Sequence, residues 1–226
     1  MRYRGLSPRR VQYGVLQARR KVLATILAIW GVAATAEEVD LLAFGDSLTA
    51  GYGLIETEGF VPQLRDWLAA QGHEVRVVNA GVSGDTTAGG AARIGWSLTP
   101  EIDAMILTLG GNDLLRGIDP AVTRANLDTI LSEAEAHGVS VLVVGLRAPD
   151  NYGPEYKTAF DAIYPDLAED YGALYEPSFF AGLGEDDPRE ARQYFQPDGI
   201  HPNADGVRRI IEALGPRVIG LITGAE

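Results

Sequence analysis

Apolar and polar positions along the chain fall into short blocks that alternate between two periods. Residues 39–44 are mostly apolar and stop at Gly45, the pattern of a buried strand. Phe60, Val61, Leu64, Trp67 and Leu68 then recur at helical spacing, with Pro62 in the first turn and Gly72 past the end. The same alternation continues to the C-terminus. It predicts strands over 39–44, 74–79, 104–109, 139–145 and 173–176. It predicts helices over 60–70, 85–98, 120–137, 155–171 and 203–222, with Gly89-Gly90 weakening the second. Strands separated by helices imply βαβ units. The expected fold is a single doubly wound, flavodoxin-like α/β domain: about five parallel strands flanked by helices. Ligands in such sheets sit beyond the carboxyl ends of the strands, so residues just after each apolar run are the candidates for chemistry.

The first 36 residues break this pattern. Residues 22–36 are uncharged and apolar, follow a basic stretch and end in Ala34-Thr35-Ala36. That is the layout of a secretory signal peptide, and the stretch is short for a membrane span. An uncleaved anchor is the alternative. The expected organisation is a signal peptide over 1–36 and one domain over 37–226. The expected location is periplasmic or secreted, without stable membrane insertion after cleavage. The segment also skews the charge. The chain has 226 residues and a formal charge of −12, and all 31 acidic side chains lie within 37–226. Such an acidic domain lacks the basic footprint of a nucleic-acid binder. Zero cysteines exclude disulfides, thiolate metal sites and a cysteine nucleophile.

Four junctions carry candidate chemistry. Gly45-Asp46-Ser47-Leu48-Thr49 follows the first strand, where a serine hydroxyl can face the crevice; the position equally suits a helix N-cap. Asn79 to Asp85 follows the second strand, and the Gly84 N–H can donate to an oxyanion or sit in a plain turn. Gly110-Gly111-Asn112-Asp113 follows the third. A neutral Asn112 amide is a good oxyanion donor, and Asn and Asp are also turn formers. Asp198-Gly199-Ile200-His201 precedes the last helix, and three residues across a turn let the carboxylate reach the imidazole. Asp46 and Asp113 read as turn formers or braces. Glu185-Asp186-Asp187 reads as a solvated acidic loop.

Three histidines exist. His73 and His137 stand at helix ends, where histidine complements the helix dipole. His201 remains as the candidate base, with an acid nearby and a serine to activate. The chain order Ser, Asp, His occurs without a Gly-x-Ser-x-Gly elbow.

These four blocks, in this order, resemble those of the SGNH (GDSL-type) hydrolases and span nearly all of 37–226. Gly45 to Gly53, Glu58 to Pro62 and Pro149 to Gly153 are further similar to the bacterial periplasmic subgroup of thioesterase, lysophospholipase and arylesterase enzymes. The resemblance implies a serine esterase acting on small-molecule or lipid-like acyl esters, as a monomer, with no metal or cofactor. It implies Ser47, His201 and Asp198 as the triad, and the Ser47 N–H, Gly84 N–H and Asn112 amide as the oxyanion hole. The segment 147–156 should overhang the same sheet edge, with Pro149, Asn151 and Tyr152 contacting the acyl chain. A carbohydrate O-acetyl esterase would use the same triad, and a non-catalytic binding domain could share the fold. A receiver-type module would need a lysine near a strand-end aspartate, and Lys157 is the only lysine after Lys21.

Overall fold

The computed structural model describes Met1 and residues 39–184 and 191–224. The chain divides into two units, Met1–Glu37 and Glu38–Glu226. Residues 2–36 of the expected leader and the acidic run Glu185-Asp186-Asp187 lie outside the described residues. No helix among the described residues is long and apolar enough to cross a membrane.

The second unit is built on a parallel sheet of five strands: β1 (Val39–Gly45), β2 (Val75–Gly81), β3 (Ala104–Thr108), β4 (Ser140–Val144) and β5 (Leu174–Glu176). Their order across the sheet is β2-β1-β3-β4-β5. Leu41 to Phe44 of β1 are at most 1% exposed, as expected for a central strand covered on both faces. Among the described residues the α-helices are α1 (Ser47–Ala50), α2 (Phe60–Ala70), α3 (Thr87–Ser97), α4 (Gly111–Leu115), α5 (Pro120–Ala136), α6 (Pro154–Asp161), α7 (Ile163–Asp170) and α8 (Ala204–Thr223). Two helix pairs flank the sheet, α2 with α8 and α3 with α5. Phe60, Leu64 and Leu68 of α2 and Ile210, Leu214 and Val218 of α8 are buried between helix and sheet.

Two local outcomes differ from simple propensity. The helix expected over 155–171 is broken into α6 and α7 around Ala162. Pro165 explains the break: in a continuous helix its ring would strike the Asp161 carbonyl, and it has no N–H to donate there. Conversely, α3 runs straight through Gly89-Gly90. A side chain on Gly90 would press within 2.4 Å of Leu109 Cδ1, so the glycine lets α3 lie close on the sheet. Packing there outweighs the roughly 1 kcal/mol propensity cost of a helical glycine.

Register sets up the site. Gly45 pairs with Gly81 on one side and Thr108 on the other. The carboxyl ends of β1, β2 and β3 are thus level, and their following loops lie side by side. Thr108 is 1% exposed, and its hydroxyl has no hydrogen-bond partner among the described residues. Burying an unpaired hydroxyl costs about 1–3 kcal/mol. Thr108→Val should therefore raise the urea unfolding free energy by about 1 kcal/mol; a lower midpoint would contradict this account.

Candidate active site

Asp46, not Ser47, caps the helix after β1. Its carboxylate accepts from the Leu48 N–H at 3.0 Å, so Ser47 becomes the first helical residue and its hydroxyl is left for another partner. That partner is His201, whose Nε2 lies 2.8 Å from Ser47 Oγ. His201 Nδ1 lies 2.7 Å from Asp198 Oδ2. With Nδ1–H donating to the carboxylate, Nε2 accepts from the serine hydroxyl. Ser47 and His201 are 154 positions apart in the chain.

The Asp198–His201 turn is held by its own carboxylate. Asp198 Oδ1 accepts from the N–H groups of Ile200 at 2.9 Å and His201 at 3.0 Å. The bond from the imidazole and these two backbone donors hold the Asp198 carboxyl down at about 2. It is therefore ionised across the working pH range. The His201 side chain is 16% exposed and that of Asp198 37%, so solvent reaches the carboxylate more than the imidazole. The Tyr52 ring lies 4.6 Å from the imidazole, centre to centre. Gln196 Nε2 donates to the Tyr52 carbonyl at 2.8 Å and to the Pro202 carbonyl at 2.9 Å, tying the serine loop to the histidine loop.

The second and third junctions meet the first. Gly84 has φ +82°, a conformation that favours glycine, and its carbonyl accepts from Arg116 at 2.9 Å. Asn112 Nδ2 donates to the Asp85 carbonyl at 2.9 Å and lies 3.4 Å from Asp46 Oδ2. Asp113 is fully buried and accepts from the Thr87 N–H at 2.8 Å and from the Thr87 hydroxyl, joining α4 to α3. It is a structural tie between helices and more than a turn former.

Asp46 is 2% exposed. Burial pushes its carboxyl up to about 6, only partly offset by the Leu48 N–H. A raised acid favours the folded state fully below its unfolded value near 4, and that advantage is lost as pH rises through about 6. Asp46→Asn keeps an acceptor for Leu48 and carries no charge. It should be more stable than wild type by about 2 kcal/mol at pH 8 and no more stable at pH 4. Urea unfolding at both pH values checks this, and a pH-independent difference would refute it.

Beside Ser47 lies a cavity of about 690 Å³, lined by Ser47, Gly84, Asn112 and His201 and by apolar side chains including Leu114, Leu115, Leu146, Phe180, Leu183 and Phe195. Leu146 and Arg147 bring the start of the 147–156 region to it, but Pro149, Asn151 and Tyr152 do not line it. The 3-10 turn Asp150–Tyr152 carries the Tyr152 ring against Gly117 and Tyr156, with its hydroxyl 3.4 Å from the Leu115 carbonyl. Tyr152 thus touches the segment that carries the wall residue Leu115. The aromatic wall from Phe180 and Phe195 was missed in the sequence, because both lie in irregular segments without periodicity. His73 and His137 stand apart from this cavity, and His137 Nδ1 lies 2.8 Å from the Glu133 carbonyl at the end of α5.

Comparison with known proteins converges on one family. Residues 43–209 match the GDSL-like Lipase/Acylhydrolase family. The chain is 38% identical over 205 residues to Esterase TesA of Pseudomonas aeruginosa, covering 90% of this chain and all of that protein. It is 39% identical over 167 residues to Thioesterase 1/protease 1/lysophospholipase L1 of Escherichia coli K12, covering 73% of this chain and 76% of the other. The crystal structure of AlinE4, an SGNH-hydrolase family esterase, superposes with a TM-score of 0.67 at 42% identity, over 81% of this chain and 96% of that one. The level strand ends, the serine–histidine contact and these matches lead to one assignment: the chain belongs to the GDSL-like lipase/acylhydrolase family and is an ester hydrolase.

Proposed function

We propose that Ser47 is the nucleophile of a serine esterase that cleaves carboxylic ester and thioester bonds of acyl substrates through an acyl-enzyme. The observation that carries this reading is the linked geometry of Ser47, His201 and Asp198, with contacts of 2.8 Å and 2.7 Å, at the wall of an apolar cavity. Ser47 Oγ attacks the acyl carbonyl as His201 Nε2 takes its proton. His201 returns that proton to the leaving alcohol or thiol, while the Asp198 carboxylate steadies the imidazolium. The Ser47 N–H, the Gly84 N–H and the Asn112 amide receive the tetrahedral oxygen, where preorganised donors act most strongly. Water then attacks the acyl-enzyme with His201 again as base. The chemistry is carried by these side chains without a cofactor.

The cavity supports acyl chains longer than acetyl, because most of its lining surface is apolar and includes leucine and phenylalanine side chains. The name of the Escherichia coli relative supports thioesters and lysophospholipids as substrate classes. The basic and then apolar stretch over 1–36 supports action outside the cytoplasm, in the periplasm or secreted. The test is hydrolysis of p-nitrophenyl acyl esters from acetate to palmitate. An optimum at medium or long chains is expected. Activity confined to acetate would move the reading to a carbohydrate O-acetyl esterase, and no activity on any ester would overturn it.

A further inference from the structure

Arg93, on α3, does not line the cavity yet bonds to three of the segments that shape the site. Its Nη2 donates to the Gly45 carbonyl at 2.9 Å, at the end of β1 and just ahead of Asp46-Ser47. Its Nη1 donates to the Ala80 carbonyl of β2 at 2.9 Å. Its Nε donates to Asp85 Oδ2 at 2.8 Å, in the residue after Gly84. The guanidinium carbon sits 3.9 Å above the centre of the buried Phe44 ring, which fixes the plane of the fork. The Asp85 main-chain carbonyl, in turn, is the acceptor for Asn112 Nδ2 at 2.9 Å. One planar cation therefore connects the segments that carry the Ser47 N–H, the Gly84 N–H and the Asn112 amide.

We propose that Arg93 is a positioning residue that holds the three oxyanion donors in mutual register. The inference rests on the oxyanion assignment proposed above. Three acceptors in three directions suit a rigid fork with five N–H donors. A lysine ammonium is a point charge on a flexible stem, and it cannot fix all three at once. Oxyanion donors act most strongly on the tetrahedral state, and misplacement by about 1 Å costs up to about 100-fold in rate. Loosening Arg93 should therefore slow turnover and leave ground-state binding nearly untouched. The Arg116 bond to the Gly84 carbonyl holds the same loop from outside, which is why the loss of Arg93 should be partial.

The experiment compares wild type, Arg93→Lys and Arg93→Gln on a soluble p-nitrophenyl ester. Each kcat is normalised to the sites titrated by a serine-directed phosphonate. The inhibition constant of an alkyl trifluoromethyl ketone, which adds to the serine as a tetrahedral oxyanion, is measured alongside. Expected for Arg93→Lys is a kcat about 10- to 100-fold lower, a KM within about twofold, and ketone affinity reduced by the same factor as kcat/KM. A residue that only supports folding would lower the titratable fraction and the unfolding midpoint without changing kcat per titrated site. Wild-type kcat per site, a loss confined to KM, or unchanged ketone affinity would each overturn the proposal. If both Arg93 variants fail to fold, Asp85→Ala removes the side-chain acceptor of Arg93 Nε and leaves the arginine and the Asp85 main-chain carbonyl position in place. It should show a several-fold loss of the same kind, and a wild-type kcat there would also overturn the proposal. An inactive wild type would instead overturn the esterase reading, and this inference with it.

Discussion

Replacing Ser47 with alanine should lower kcat for acyl esters by about 10⁴- to 10⁶-fold, with the fold intact. The size follows from the geometry. Ser47 Oγ is the hydroxyl bonded to His201 Nε2, and the chain contains no cysteine to substitute as nucleophile. Ser83 and Ser178 also line the cavity, but it is Ser47 Oγ that meets His201 Nε2, at 2.8 Å. Without the hydroxyl, His201 can only activate water, and the covalent route closes. The oxyanion donors remain and leave a small residual rate. The check is steady-state hydrolysis beside labelling by a serine-directed phosphonate. An Ser47→Ala protein that hydrolyses esters within tenfold of wild type, or that still takes the label, would move the nucleophile elsewhere. The analogous variant Ser83→Ala should remain fully labelled.

Asp198→Asn should cost about 10²- to 10⁴-fold in kcat, and the direction of its effect is specific. The carboxylate accepts from three donors at once: His201 Nδ1 and the N–H groups of His201 and Ile200. In the asparagine variant the amide oxygen stays on the two backbone donors and the amide nitrogen faces the imidazole. Nδ1 then becomes an acceptor, and the proton moves to Nε2, where it points at Ser47 and blocks its role as base. The exposed carboxylate tempers the loss relative to a fully buried one, because water can take over part of the contact. KM should change little, since Asp198 does not line the cavity. A stability signature accompanies the rate. The depressed Asp198 carboxyl stabilises the fold above its unfolded value near 4, and that contribution disappears as pH falls through about 2. The gap in unfolding midpoint between wild type and Asp198→Asn should close over that range. A rate unchanged at neutral pH would remove Asp198 from the mechanism.

What could be read from the chain was local. β1 and β3 announce themselves as apolar runs, because a strand covered on both faces must be apolar throughout. α2 and α8 follow from helical spacing, although Asn203, placed within the last helix by the sequence, is its N-cap. The split between α6 and α7 was also legible in principle, since Pro165 forbids the bond that would join them. Ser47, Gly84, Asn112 and His201 could be singled out because doubly wound sheets gather strand-end residues at one edge. For Asp46 and Asp113 the sequence leaves turn former and brace equally open. A short acid after a strand is so often a turn former that burial, which the sequence does not display, is needed to tell the difference.

Other features belong to tertiary structure alone. The aromatic wall of Phe180 and Phe195, the Gln196 strap and the contact of Tyr152 with the Leu115 carbonyl rest on loops whose residues have no period to reveal their neighbours. The Arg93 hub was invisible for a different reason. Two of its partners are main-chain carbonyls 13 and 48 positions away, and a carbonyl has no sequence identity. Sequence by itself determined the order of strands and helices and the residue types at each junction, because hydrophobic period, proline and glycine act over a few residues. Only the tertiary structure decided which donors meet which acceptors and what shape the cavity takes. Those depend on register and packing between segments as much as 154 positions apart.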